Sequence, residues 1–268
     1  MLGAIAGDVI GSIYEQAAFK SKRFPLFTDR SRFTDDTVLT VAVAERCLRG
    51  GDYVDLFHEC FHAYPRAGYG GTFCRWALQR LREPYNSWGN GSAMRVSPVG
   101  TVCDSLEQVL AEAQASAAVT HNHPEGIRGA QATAAAVYLA RIGTGKPEIK
   151  TYLEREFGYN LSETLEDIRQ RYTFDVSCQG SVPQSIIAFL ESTSFEDAIR
   201  NAISLGGDAD TMACIAGGIA EAWYGGVPAD IEREVLQKLD ERLRGVVTEF
   251  TERFGDRLRK GGAAAGGI

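Results

Sequence analysis

Apolar residues recur at intervals of three and four along almost the whole chain, and this spacing limits the possible folds more than any other sequence feature. Strand patterns are scarce: residues 95–99 alternate, but the run is short and contains Pro98. We therefore predict an all-α fold, with one compact multi-helix domain over residues 1–259 and a disordered Gly/Ala-rich tail over residues 260–268. The predicted helices cover residues 2–14, 36–49, 53–63, 72–82, 105–118, 126–142, 163–171, 182–191, 195–204, 210–224 and 229–253.

The composition is typical of a globular protein that folds without covalent or metal crosslinks. The chain has 268 residues, of which 44% are hydrophobic and 24% charged, and a chain of this length buries enough apolar surface to be stable. Its net charge of −7 repels the phosphates of nucleic acids, so we expect no general nucleic-acid binding. No run approaches the roughly 20 apolar residues of a membrane span, so we expect no membrane partner.

The first residues and the cysteines predict where the protein resides. The N-terminal segment is apolar but lacks a basic start, and Asp8 interrupts it, so it does not resemble a signal peptide. The six cysteines form no C-x-x-C pair, and several fall within helical runs, which is typical of reduced, buried thiols. These features predict a cytoplasmic protein, and the sequence leaves its oligomeric state open.

The first predicted helix carries a stripe of glycines, because Gly3, Gly7 and Gly11 are each four residues apart. Glycine inside a helix costs about 1 kcal/mol relative to alanine, so three in register need a reason. The stripe predicts that another backbone or a ligand approaches this face closely, and tight helix packing alone explains it equally well. Asp8 lies between these glycines, and we assign it a supporting role.

Two short acidic segments precede predicted helices. Residues 33–37 are Phe-Thr-Asp-Asp-Thr, and residues 207–211 are Gly-Asp-Ala-Asp-Thr. Capping explains one such segment, but a cap needs one oxygen and each segment offers two carboxylates and a hydroxyl. If both helix starts meet in the fold, these hard oxygen ligands favour Mg²⁺ or Mn²⁺, with two ions, over zinc. The 172 positions between Asp36 and Asp208 leave that meeting open.

Five motifs follow one another in an order that resembles a known family. They are residues 3–11 with Glu15, residues 33–37, residues 89–95, Thr120-His121 with Pro124, and residues 206–211. Each motif alone is a weak signal. Together, in this order, they make the chain similar to the ADP-ribosylglycohydrolase family from its first residues to about Gly225.

The resemblance implies a binuclear Mg²⁺ or Mn²⁺ centre in an all-α domain, an ADP-ribose-like ligand, and cleavage at its distal ribose. It implies that Asp210 bridges the cations and that Glu15 and Asp35 are catalytic, with Glu15 acting as a general acid or base or as a gate. Without the resemblance, Glu15 is better explained as an exposed residue at a helix end. The implied metal ligands are Thr34, Asp35, Asp36, Asp208, Asp210 and Thr211.

The resemblance also implies where the ligand binds. Residues 88–92 form a loop whose backbone N–H groups suit a diphosphate, and His121 lies near the diphosphate or the ribose. Trp88 either stacks on the adenine or packs in the core, and Arg95 either pairs with a phosphate or supports a buried acid. The ligand-binding residues predicted in this way are Trp88, Gly89, Asn90, Gly91, Ser92, Met94 and His121.

Other functions remain open at this point. Residues 58–62 match the zinc-peptidase pattern H-E-x-x-H, but Pro65 shortens the helix and the one nearby acid, Glu83, abuts a proline. A non-catalytic ADP-ribose- or nucleotide-binding protein would keep the fold alone, and a hydrolase of a free ribosylated metabolite would keep the reaction. Because both acidic segments and Glu15 are present, we expect a hydrolase that releases ADP-ribose, or a related ribosyl group, from an acceptor such as a modified protein side chain.

Overall fold

The computed structural model describes residues 1–15 and 17–262. In this part of the chain the regular secondary structure consists of α-helices joined by loops, without a β-strand. The prediction of an all-α fold is therefore confirmed. The helices are α1 (Leu2–Gly11), α2 (Asp35–Arg49), α3 (Tyr53–Ala63), α4 (Gly71–Leu78), α5 (Gly91–Met94), α6 (Ser97–Val102), α7 (Leu106–Ala118), α8 (Pro124–Arg141), α9 (Lys146–Phe157), α10 (Leu165–Arg171), α11 (Cys178–Leu190), α12 (Phe195–Ile203), α13 (Ala209–Tyr224), α14 (Ala229–Lys238) and α15 (Glu241–Gly262).

Helices α1 and α13 form the centre of the fold and cross in direct backbone contact. A Cβ atom on Gly7 would lie 2.0 Å from the carbonyl oxygen of Ala213, and one on Gly11 would lie 2.5 Å from the Cα atom of Asp210. Gly3 approaches α13 in the same way. The close approach predicted from the glycine stripe is thus confirmed, and the partner is a backbone. This contact also seats the end of α1 against the first turn of α13.

Two hydrophobic cores meet at these central helices. The smaller core is built around α2, α3 and α4 and includes Phe57 and Trp76, while the larger one occupies the side of α11 and α12. Helix α13 belongs to both, since Cys214 packs in the smaller core and Met212 and Ile215 pack in the larger. The start of α13 is therefore fixed from two sides, next to the start of α2.

Two stretches differ from the predicted helices. Helix α9 (Lys146–Phe157) was not predicted, because only Ile149, Leu153 and Phe157 of its residues are buried and a stripe this narrow on a charged helix gives a weak pattern. Residues 95–99 do not form a strand, because α6 (Ser97–Val102) begins within them. Pro98 lies in the first turn of this helix, where a backbone N–H group would have no partner inside the helix, so its absence costs nothing.

The predicted helix over residues 229–253 is two helices. Helix α14 ends at Lys238. The carboxylate of Asp240 then caps the first turn of α15, because it accepts a hydrogen bond from the backbone N–H of Leu243. Helix α15 continues to Gly262, past the predicted domain end at residue 259. The remainder of the predicted tail, residues 263–268, lies outside the described residues.

All six cysteines are free thiols, as the sequence led us to expect. Within residues 1–15 and 17–262, none of the helices combines the length and the apolar character that crossing a membrane requires.

Candidate active site

A cleft of about 440 Å³ opens between the starts of α2 and α13. Its floor consists of residues at these two helix starts, and its walls come from residues 67–73, 85–91 and 174–176. Most of the predicted site residues line it: Glu15, Thr34, Asp35, Asp36, Gly89, Asn90, Gly91, Met94, His121, Asp208, Asp210 and Thr211. Tyr85, Phe174 and Val176 also line it, and no sequence pattern identified them beforehand.

The two acidic helix starts meet at the floor of this cleft. The hydroxyl of Thr211 donates to Oδ2 of Asp36 at 3.3 Å, across 175 positions of sequence. Carboxylate oxygens of Asp8, Asp36 and Asp210 lie within 4.8 Å of one another, and so do oxygens of Glu15, Asp208 and Asp210. Asp210 belongs to both groups. The meeting that the sequence left open therefore exists.

Asp8 reaches from α1 to hold the start of α2. Its fully buried carboxylate accepts hydrogen bonds from the backbone N–H of Thr34 at 2.9 Å, the hydroxyl of Thr34 at 2.7 Å and the backbone N–H of Thr37 at 3.1 Å. The hydroxyl of Thr37 donates to it as well. These contacts satisfy N–H groups that the first turn of a helix leaves unpaired. Asp8 thus has the supporting position that we expected.

Burial and mutual repulsion raise the pKa of the carboxylates on the floor. Burial, and then the charges of Asp8, Asp208 and Glu15, raises the pKa of Asp35 to about 8. Burial and neighbouring carboxylates hold the pKa of Asp36 and of Asp210 well above the usual range. Burial also raises the pKa of Asp208. Such a cluster of buried anions is unfavourable unless cations neutralise it.

The donor set suits hard divalent cations. Oδ1 of Asp36 is buried and has no hydrogen-bond partner in the described part of the chain, which leaves a carboxylate oxygen available as a ligand. The predicted ligand atoms on the floor are carboxylate and hydroxyl oxygens, which Mg²⁺ and Mn²⁺ prefer. The residues present at the floor therefore fit these ions.

Asn90 links the ligand-binding loop to the acidic floor. Its amide Nδ2 donates to Oδ2 of Asp208 at 2.7 Å and to the hydroxyl of Ser181 at 3.2 Å. Its backbone N–H donates to the carbonyl oxygen of Val176 at 2.8 Å. The loop that carries Asn90 and the segment before α11 consequently form one wall of the cleft. Ser181, on α11, contributes to this wall through its contact with Asn90.

Two predicted ligand-binding side chains do not line the cleft. Trp88 is 54% exposed and lies against the ring of His123, with 5.6 Å between centroids. Ser92 is fully buried, and its hydroxyl donates to the carbonyl oxygen of Gly126 at 2.7 Å. Ser92 therefore fixes α5 to α8, and Trp88 packs on the outer side of the loop.

Arg95 lines the cleft but does not support a buried acid. Its guanidinium is fully buried, donates to the carbonyl oxygen of Ser116 at 2.7 Å and to the hydroxyl of Thr120 at 2.9 Å, and lies 4.4 Å from the ring centre of Phe57. No carboxylate of the described residues pairs with it. Burial and the charge of Arg95 hold the pKa of His121 well below its usual range.

The segment that carries Glu15 is fixed above the start of α13. Gly206 has a positive φ of 69°, and a Cβ atom there would lie 2.9 Å from the backbone of Ala18. The ammonium of Lys20 donates to the carbonyl oxygens of Tyr172 and Leu205 at 2.5 Å each. Glu15 is thereby held where its carboxylate reaches Asp208 and Asp210.

The H-E-x-x-H segment does not form a metal site. His58 is buried on α3, with its ring centre 4.2 Å from that of Trp76, whereas His62 is exposed. Among the described residues, the groups of three or more potential metal ligands are the two carboxylate groups on the cleft floor. His58 is thus a core residue.

Comparisons with known proteins point to one family. The family model described as ADP-ribosylglycohydrolase matches residues 1–263. The chain is similar to the ADP-ribosylhydrolase ARH3 of Homo sapiens, with 28% identity over an alignment of 305 positions that spans 84% of each chain. It is also similar to the ADP-ribosylarginine hydrolase Tri1 of Pseudomonas putida strain GB-1, with 26% identity over 91% of this chain and 76% of that one. A solved structure, an ADP-ribosylglycohydrolase-related protein complex, aligns with a TM-score of 0.68 and 25% identity over 97% of both chains.

Proposed function

The chain belongs to the ADP-ribosylglycohydrolase family, and we propose that it hydrolyses the glycosidic bond between ADP-ribose and an acceptor, using two Mg²⁺ or Mn²⁺ ions. The observation that carries this proposal is the meeting of Asp36 with Asp208 and Asp210 on the floor of an open cleft. The acceptor in this proposal is a modified protein side chain.

The residues proposed to hold the cations are Thr34, Asp35, Asp36, Asp208, Asp210 and Thr211. All of these except Asp35 are buried, and oxygens of Asp36, Asp208 and Asp210 belong to the two carboxylate groups, which supports this assignment. When bound, the cations supply positive charge that polarises the hydroxyl groups of a ribose and lowers the pKa of a nearby water. Asp210, present in both carboxylate groups, is the residue proposed to bind both cations.

Glu15 and Asp35 are the proposed catalytic residues. Both line the cleft, and neither is fully buried, so their carboxyl groups face the space where a ribose would lie. Glycosidic cleavage requires a carboxyl group that protonates the leaving group or removes a proton from the attacking water. Glu15 suits this proton transfer because the fixed segment after α1 holds it at the edge of the cation site.

The remaining walls suit the rest of an ADP-ribose molecule. The cleft volume of about 440 Å³ lies in the range of small-molecule sites. Gly89, Gly91 and the imidazole of His121 line one wall. The backbone N–H of Gly89 donates to the hydroxyl of Ser87 at 3.1 Å, so the donors proposed for a diphosphate are the backbone of Gly91 and the imidazole. Met94 lies below them, with its sulfur 4.0 Å from the hydroxyl of Thr211.

Release of ADP-ribose tests this function. The protein is stripped of metal with a chelator, and release is measured from arginine-linked, serine-linked and O-acetyl-linked substrates before and after Mg²⁺ or Mn²⁺ is added. We expect turnover only with added cation, and none in Asp36→Asn. The control is Asp29→Asn, which alters an exposed aspartate away from the cleft.

Each other outcome identifies one of the alternatives. Full turnover by the metal-free protein would contradict the metal dependence. Binding of ADP-ribose without release from any substrate would favour a non-catalytic binding protein. Release only from a small ribosylated molecule would favour a hydrolase of a free metabolite. Preferential release from one linkage would identify the acceptor.

A further inference from the structure

A line of polar groups runs from the core of the protein to the cleft wall. It begins at the guanidinium of Arg95, which donates to Oγ1 of Thr120 at 2.9 Å. Oγ1 of Thr120 lies 2.8 Å from Nδ1 of His121. The opposite ring nitrogen, Nε2, faces the glycine loop, since a Cβ atom on Gly91 would lie 3.2 Å from it. His121 and Gly91 both line the cleft.

The donors in this line determine the direction of each hydrogen bond. Arginine has no acceptor atom, so Thr120 accepts from Arg95. Among the described residues, the hydrogen-bond partners of Oγ1 are this guanidinium and Nδ1 of His121. Nδ1 is the one of the two that can accept, so the proton of Thr120 is directed to it.

The imidazole therefore has a defined proton position. His121 is neutral, because burial and the nearby guanidinium hold its pKa well below the usual range. A neutral imidazole carries one proton, and when Nδ1 accepts a hydrogen bond that proton is on Nε2. Within the described residues, Nε2 has no hydrogen-bond partner. It is therefore available to a ligand in the cleft.

We propose that Arg95 and Thr120 are positioning residues that fix His121 as the Nε2–H tautomer, so that the ring donates a hydrogen bond to an oxygen of the ligand. Each bond in the line points the same way, so the buried guanidinium strengthens the donor at the cleft wall. This gives a function to a buried cation that has no carboxylate partner. The identity of the ligand as ADP-ribose rests on the proposed function, whereas the tautomer does not.

The tautomer is measured directly in the full-length protein. Long-range ¹H–¹⁵N correlation spectra distinguish the protonated ring nitrogen of each histidine from the unprotonated one, and the spectrum of His121→Gln assigns the signals. We expect Nε2–H in the unaltered protein. We expect a mixture of both tautomers in Thr120→Val, which removes the hydroxyl, and the Nε2–H form again in Thr120→Ser, which restores it.

Binding of ADP-ribose, measured by titration calorimetry with Mg²⁺ present, gives the second measurement. Thr120→Val should bind about tenfold more weakly, as expected when one hydrogen bond to the ligand is no longer preorganised, and Thr120→Ser should recover the affinity. Thr101→Val is the matched control, because Thr101 is equally buried but bonds to Ser97 on α6, away from the cleft. Its affinity and its histidine spectrum should match those of the unaltered protein.

Several results would overturn the proposal. An Nδ1–H tautomer of His121 in the unaltered protein would do so even if a variant failed to fold. Thr120→Val with an unchanged tautomer would exclude the hydroxyl as the controlling group. If the unaltered protein binds no ADP-ribose, the proposed function fails and the ligand is wrong, while the spectra still decide the hydrogen-bond line.

Discussion

Asp210 is the residue shared by the two carboxylate groups on the cleft floor. We predict that Asp210→Asn abolishes cation binding and turnover, and that the metal-free variant has a higher melting temperature than the metal-free unaltered protein. The substitution removes one buried charge from a cluster of like charges, and asparagine retains the oxygen that accepts from the N–H of Thr211. Calorimetric titration and thermal unfolding measure both effects. A variant that still binds two cations would show that Asp210 is not a ligand.

Glu15 differs from the other acids in the cleft because it is not part of a helix start. We predict that Glu15→Gln keeps most of the cation affinity and slows turnover by roughly 10²- to 10⁴-fold, the usual contribution of a general acid or base. Glutamine keeps the shape of the side chain but cannot transfer the proton. Steady-state kinetics beside a cation titration test this prediction. Turnover at the full rate would remove Glu15 from the mechanism.

Single residues also show how far the sequence could predict the site. The oxygens of the floor were identifiable, since a cap does not need two carboxylates and a hydroxyl. The four hydrogen bonds that reach Asp8 were not, because they join α1 to α2 and depend on how helices pack. Trp88 was assigned to the ligand on its chemistry, and packing on His123 directs it elsewhere.

At the level of helices, the crossing of α1 and α13 leaves no room for a side chain. We predict that Gly7→Ala destabilises the protein by about 1–3 kcal/mol or more, as overpacking does, because the new methyl group would lie 2.0 Å from a backbone oxygen of α13. Chemical unfolding measures the change. Gly245→Ala is the control: that site on α15 has open space around it, so alanine should stabilise by about 0.5–1 kcal/mol. Equal effects at both sites would contradict the crossing.

Helix α3 contains a pair of histidines in different environments. Burial lowers the pKa of His58, so below pH about 6.5 the unfolded chain takes up a proton that the folded protein resists. The free energy of unfolding should therefore fall as the pH drops through this range.

We predict that His58→Phe reduces this pH dependence and keeps the packing against Trp76. His121, whose pKa is also lowered, retains part of the slope. His62→Gln removes one of the smaller causes of the lowered pKa of His58 but leaves its burial, the largest cause, so most of the slope should remain. Unfolding curves at pH 7, 6 and 5 test this, and an unchanged slope in His58→Phe would mean that His58 is protonated in the fold.

The success of the helix predictions followed the strength of the local signal. Helices α7 and α12 were predicted nearly to the residue, since each begins with a serine that caps its first turn. Helix α9 is preceded by Gly145, which has no capping side chain. The break before α15 was invisible because Val235, Leu239 and Leu243 keep the helical spacing across it.

For the molecule as a whole, the proposed cation binding would be coupled to folding, because the carboxylate cluster exists only when distant helices assemble. We predict that chelation lowers the melting temperature by roughly 5–10 °C. A cation at about 100 times its Kd adds about 2.7 kcal/mol if it binds only the folded state, and 1 kcal/mol shifts a chain of this size by about 2–4 °C. Scanning calorimetry with and without chelator tests this, and Asp210→Asn should not respond. A response equal to that of the unaltered protein would place the cations elsewhere.

The floor of the cleft belongs to buried helix starts, whereas exposed residues such as Phe174 and Val176 form its upper wall on a connecting segment. Such segments tolerate substitution, and helix starts seated in two cores do not. Substitutions in this upper wall can therefore change which acceptor fits the cleft while the buried carboxylate cluster stays the same. A mutational library confined to the exposed residues Thr173, Phe174 and Val176 would sample new substrate preferences, while Tyr172, Asp175 and Ser177 keep their hydrogen bonds.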